Sequence, residues 1–182
     1  MTTRGIATRG AVLAVAVLFM GASELTQAAQ DLLAIQISGV PGDTAFATAN
    51  ALPPASVQVL AASLGLSTPV SLSGVVSVGK TNFQDLVIAK NFNNSSPALA
   101  LAEITGKVIP TAILSFYTGT PGAWTRYYVV TLTNSYVTSI SLGDSAGGTA
   151  SENVSFAYTQ IRFTDILTGA TECFNRITNT TC

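Results

Sequence analysis

Apolar and polar positions alternate with a period of two over much of this chain, which is the mark of half-buried β-strands. In residues 32–38, Leu33, Ile35 and Ile37 fall on one face. In 82–90, Leu86 and Ile88 stand opposite Phe83, Asp85 and Val87. In 124–134, Tyr128, Val130 and Leu132 share a face, and a separate strand is expected over 135–142. In 152–165, Val154, Phe156 and Tyr158 are in phase, but Ile161 and Phe163 are not, which predicts a bulge or twist near Thr159. Weaker strands are expected within 57–66 and 67–81. Residues 107–118 form another, with Pro110 favouring an edge or a strand start.

Turn formers separate these runs. Residues 39–56 read as a loop, 119–123 as a tight turn and 143–151 as a flexible Gly-rich loop. One segment breaks the pattern. In "NFNNSSPALALAEITGK" (91–107), Ser96 is placed to cap a helix, Pro97 suits its first turn, and Gly106 suits the left-handed position past its end. Lys107 then sits near the negative end of the dipole. Leu101 and Ile104, with Ala98 beside them, are the expected docking side. A helix this short is unstable alone, so it must pack on the sheet. Seven or eight short strands and one helix predict a mainly β fold: a compact antiparallel β-barrel or two-sheet sandwich with one short α-helix alongside. No internal repeat is visible.

The N-terminus is of another kind. Arg4 and Arg9 precede thirteen uncharged residues (10–22), and small residues follow up to Ala28 and Ala29. This layout is expected to be a secretory signal peptide over 1–28, cleaved between Ala28 and Ala29. The run is too short for a comfortable membrane span, an uncleaved anchor being the plainer alternative. Removing Arg4, Arg9 and Glu24 leaves six basic and eight acidic residues. No basic patch survives, which argues against nucleic acid as a partner. Charged residues make up 9% of the chain, against about 25% in typical proteins. So little charge fits an extracellular protein or one buried in an assembly.

Cys173 and Cys182 are the two cysteines. In an exported chain they are expected to pair and restrain the C-terminal segment 166–182, the alternative being two free thiols in a loose tail. Two cysteines without histidine do not make a zinc site, and no cofactor is called for. The missing histidine also removes Ser-His-Asp and Cys-His chemistry. The remaining carboxylates are scattered, with no close local pair of the kind glycoside hydrolysis needs. "GDSAGG" (143–148) superficially echoes a protease nucleophile loop at Ser145, but an Ala interrupts it and no base exists to serve it. The Asn-x-Ser/Thr sequons at Asn93, Asn94, Asn153 and Asn179 matter only in a eukaryotic secretory pathway. Trp124, Tyr127 and Tyr128 could stack on a sugar if coplanar and exposed, which would suit a monomeric binding module for a glycan or protein. Core or inter-subunit packing is the simpler reading.

The order of segments resembles one known family. "NFQDLVIAKNFNNSSPALALAEITGK", then a strand, then "RYYVVTLTNSYVTSISLG", a Gly-rich loop and "SENVSFAYTQIRF" are similar to the Hcp proteins, which build the inner tube of type VI secretion systems. The family-like positions are Lys90, Ser96, Pro97, Leu99, Gly106, Glu152, Asn153 and Val154. The resemblance implies a β-barrel domain (29–165) with one helix beside it, and a structural, non-enzymatic role. Its partner would be itself, as a six-membered ring that stacks into a tube whose lumen carries small effector cargo. Two features depart from the pattern: the signal-like N-terminus and the cysteine-bearing C-terminal segment. They imply a periplasmic or extracellular ring, filament or surface module.

Overall fold

A computed structural model describes residues 29–144 and 148–182. Residues 1–28, with the expected signal and Ala28, lie outside the described residues, as does Ser145 of the Gly-rich loop. The strands are β1 Gln30–Ile37, β2 Ser56–Val59, β3 Ala61–Ser63, β4 Leu66–Ser67, β5 Val70–Ser71, β6 Ser77–Val78, β7 Asn82–Phe83, β8 Leu86–Asn91, β9 Ile109–Thr120, β10 Ala123–Gly143, β11 Ser151–Asp165, β12 Thr171–Asn175 and β13 Thr180–Thr181. The helices are α1 Thr44–Ala49 and α2 Ser96–Thr105.

The main sheet is antiparallel and closes on itself. β2, β1, β9, β10 and β11 are neighbours in that order, β11 pairs with β8, and β8 with β3. β2 and β3 are separated by Leu60 alone, so one extended segment pairs with β1 through its first half and with β8 through its second. The Leu60 amide donates to Ala89 O at 2.7 Å and seals the junction. Closure removes the exposed edges that an open sheet would leave. Inside lie Ile35, Val57, Ile88, Leu132, Val154 and Phe156, all at most 1% exposed. Each such side chain contributes about 1.5–3 kcal/mol by leaving water.

Several expectations are corrected here. Within the segment 39–56, expected as a loop, Thr44–Ala49 form the short helix α1, which the Asp43 carboxylate caps by accepting from the Phe46 amide. The two strands expected at 124–134 and 135–142 are one 21-residue strand, β10. Asn134 does take the left-handed conformation (φ 46°) that makes asparagine a turn former. It bends the strand without ending it, and Thr133↔Gln160 and Ser135↔Tyr158 stay in register on either side. Opposite, the inward phase of β11 changes from Tyr158 to Ile161, so the irregularity near Thr159 is a bend shared by two strands. Pro110 lies at the start of β9, a central strand.

Residues 166–182 are a hairpin built onto the barrel and not a loose tail. β12 pairs with the second half of β11, and β13 with β12. Cys173 and Cys182 are joined, with Cα atoms 5.3 Å apart. Phe174 stacks on Phe83 at 5.2 Å between centroids. Arg176 lies 4.6 Å over the Tyr158 ring and donates to the carbonyls of Tyr158 and Phe83, each at 3.1 Å.

β4 to β7 form a separate arm. Leu66 pairs with Phe83 at its root, and Val70 with Val78 further out. Leu72, Val75, Val76 and Val78 on it are all more than 60% exposed.

Candidate functional site

The inward stripe of β8 runs Leu86, Ile88, Lys90, and that of β11 runs Glu152, Val154, Phe156. Alternation therefore carries one cation and one anion into the interior at the same end of the barrel. The register sets Glu152 directly opposite Lys90. The two side chains are 2% and 0% exposed, and the Lys90 ammonium donates to Glu152 Oε1.

The start of α2 closes over this pair. Lys90 Nζ also donates to Ser96 Oγ at 3.0 Å, Asn93 Oδ1 at 3.1 Å and Asn91 O at 3.0 Å. The Ser96 hydroxyl donates to Glu152 Oε1 at 2.7 Å and accepts from the Asn93 amide at 3.2 Å. Asn93 Oδ1 further accepts the Ser95 amide and hydroxyl. Among the described residues no buried side-chain nitrogen or oxygen lacks a partner. A buried ion pair is tolerable only when its remaining polar atoms are satisfied in this way.

Ser96 therefore has a different task from the one its sequence position implies. The helix begins at Ser96 itself, Ser95 precedes it, and neither hydroxyl caps a helix amide. Pro97 occupies the first turn as expected. Gly106 (φ 60°) ends the helix, with the Gly106 amide reaching Glu103 O and the Lys107 amide reaching Ala102 O. That pair of bonds is the Schellman closure, which favours glycine. The docking face is Leu99 and Ala102, both buried, while Leu101 and Ile104 are 60% and 77% exposed. This reverses the expected docking side.

Of the family-like positions, Lys90, Ser96 and Glu152 meet in one polar knot. Leu99 and Val154 belong to the adjoining core, and Pro97 and Asn153 face solvent. Asn93, noted in the sequence only as a sequon, and Ser95 also belong to the knot. The available signal was the polar run "NNSS" directly ahead of a Pro-initiated helix. The chemistry of the knot is mutual neutralisation. Glu152 is almost wholly buried and is held by the Lys90 ammonium and the Ser96 hydroxyl.

The aromatic strand start contacts α1 and β9. The Trp124 indole donates to Asn50 Oδ1 at 3.0 Å, and Tyr127 and Tyr128 lie at 56° and 72° to the Phe116 ring. Trp124, Tyr127 and Tyr128 are each partly buried. Among the described residues, no three metal-ligating side chains gather, and no helix is long and apolar enough to cross a membrane.

Besides a hollow of about 600 Å³ at Phe83, Tyr136, Tyr158 and Ile177, two exposed apolar features stand out among the described residues. One is the arm. The other is a groove of about 360 Å³ along the outer side of α2, lined by Phe92, Pro97, Ala100, Ile104, Ile140 and Leu142, with Glu103 at its side.

A closed antiparallel barrel, a docked helix, a buried polar knot and a projecting aliphatic arm define a closed β-barrel fold. The chain belongs to the Hcp family: the model described as "Type VI secretion system effector, Hcp" matches residues 35–164. Solved structures share the fold. Hcp1 from Salmonella typhimurium is 21% identical with a TM-score of 0.68, the match covering 84% of this chain and 99% of that one. A type six secretion system protein gives 21% identity and a TM-score of 0.72, covering 84% and 100%. The secreted protein Hcp3 from Pseudomonas aeruginosa gives 20% and 0.54, covering 81% and 98%. A search of curated proteins finds no match.

Proposed function

We propose that this chain is a non-catalytic subunit that assembles with copies of itself, closing into rings, hexameric on the family's pattern, which stack into a hollow tube able to carry small effector cargo. The observation that carries this reading is the arm. Between Leu66 and Gly79 it holds no charged residue, and it presents Leu72, Val75, Val76 and Val78 to water. The barrel already closes its own sheet, so the arm's apolar surface serves no edge of its own chain. Exposed aliphatic surface of this kind marks a protein contact. The sparse charge of the whole chain suits extensive subunit contact, whose central parts are poor in charge.

The place of work is an oxidising compartment, periplasmic or extracellular. A signal peptide over 1–28, a barrel over 29–165 and a disulfide-stapled segment over 166–182 fit that route together. The assembly needs no cofactor and no nucleic acid.

Negative-stain imaging and light scattering of the purified protein test this. Ring-shaped particles of several subunits are expected. A strictly monomeric protein at micromolar concentration would overturn the reading. The N-terminal mass of the exported form tests cleavage between Ala28 and Ala29.

A further inference from the structure

The hollow beside Phe83 is walled by parts of the chain that lie far apart in sequence. Lys80 and Phe83 come from the segment leading into β8, Tyr136 from β10, Tyr158 from β11, and Arg176 and Ile177 from the turn after β12. That turn is held in place. The Cys173–Cys182 bond staples the hairpin, and the Asn175 side chain accepts the Ile177 and Thr178 amides at 2.9 and 3.1 Å. The Arg176 guanidinium lies over the Tyr158 and Phe83 rings, 4.6 and 5.6 Å from their centroids. A preformed, mainly apolar space of about 600 Å³ has the size of a small-molecule site. Tyr136 and Ile177 are 38% and 76% exposed, so it is open to solvent.

Its charges are of one sign. Lys80 and Arg176 line it, and no carboxylate does. Lys80 is exposed and has no carboxylate partner among the described residues. Arg176 has five N–H donors, and the carbonyls of Tyr158 and Phe83 take two of them. Asp85, whose charge reaches Tyr158, lies outside the lining and accepts from the Thr138 hydroxyl at 2.7 Å. Two cations without an anion call for a carboxylate, which a guanidinium binds through charge-assisted hydrogen bonds. The aromatic walls call for a flat apolar body on that carboxylate.

We infer that this hollow binds a small aromatic carboxylic acid as its anion, the carboxylate held by Lys80 and Arg176 and the ring lying against Phe83 and Tyr136. Every wall belongs to one chain, so the site goes beyond self-assembly and does not depend on it.

Calorimetric titration of the full protein, its disulfide intact, tests this with naphthoate as the probe. Saturable binding is expected, with naphthylmethanol, the same body without the charge, about tenfold weaker. Lys80→Gln is expected to weaken naphthoate about tenfold and to leave naphthylmethanol unchanged. Tyr136→Ala should weaken both probes. Both residues are exposed, so neither change threatens the barrel, and the unfolding midpoint checks that. Amide shifts on adding naphthoate should gather at Tyr136 and Ile177. No saturation at millimolar naphthoate, equal affinity for the two probes, or full affinity in Lys80→Gln overturns the inference. So do shifts that gather in the groove along α2.

Discussion

Lys90 and Glu152 are 62 residues apart in the chain and stand directly opposite each other in the β8–β11 ladder, both out of reach of water. A one-residue slip of that ladder would turn one charge outward and leave the other buried without its partner. The pair therefore acts as a register lock between β8 and β11 as much as a source of stability.

Removing one partner strands a buried charge. Lys90→Met alone or Glu152→Gln alone is expected to cost about 3–5 kcal/mol in urea unfolding. Lys90→Met combined with Glu152→Leu is expected to recover most of that loss. Single variants that lose less than about 1 kcal/mol would show the pair to be open to solvent.

Ser96 acts on Glu152 and not on the helix terminus. Ser96→Ala is expected to destabilise by about 1–3 kcal/mol, as for a lost hydrogen bond to a buried charge. In a double-mutant cycle with Glu152→Gln the two losses should fall short of additive. Full additivity would assign the Ser96 hydroxyl to some other partner.

The Cys173–Cys182 bond closes a short loop, so reduction is expected to cost about 2–3 kcal/mol. Hydrogen exchange should rise first in Thr171–Asn175 and next around Phe83, which Phe174 and Arg176 hold. Unchanged exchange at Phe83 after reduction would mean that the arm's root is fixed without the hairpin.

Tyr158 gives an alkaline signature. Burial pushes its phenol up to about 12 from 10.0, with Arg176 pulling it down and Asp85 pushing it slightly further up. The hydroxyl donates to Gln84 O. Because the folded value lies above the unfolded one, the unfolded chain releases this proton first. The stabilisation is complete below pH 10 and is lost as pH rises toward 12. Tyr158→Phe should be less stable at neutral pH, yet lose less stability than wild type across that window. Parallel curves for the two proteins would remove Tyr158 as the source.

Much of the barrel was legible because its strands obey period two: Leu86 and Ile88, Val130 and Leu132, and Val154 and Phe156 point where alternation puts them. The helix's existence was legible from Pro97 and Gly106. Its face was not, since "ALALA" is apolar nearly all round and periodicity has no polar side to exclude. The polar knot was hidden for another reason. Lysine and glutamate are ordinarily surface residues, and only a ladder joining positions 62 residues apart reveals that alternation drives both inward. The single strand β10 was not legible at Asn134, a turn former in the left-handed region, because it is the pairing with β11 on both sides of it that carries the strand through. The arm read as turns and weak strand because its pairs are only two residues long.

The order of the strands also sets an order in time. β9 and β10 are joined by the turn at Pro121–Gly122, and β10 continues to β11 through one loop, so this meander forms from local contacts. β1 must find β9 across the whole run from Ile37 to Ile109, and β8 must find β11 across the length that separates Lys90 from Glu152. Closing long loops is slow because the entropy is lost before the contacts form. The meander is thus expected to be the folding nucleus and the ion pair a late event, its two charges staying hydrated until the last ladder closes. Leu132→Ala should then slow refolding, whereas Glu152→Gln should mainly speed unfolding. A Glu152→Gln variant that instead slows refolding in proportion to its lost stability would place the pair in the nucleus.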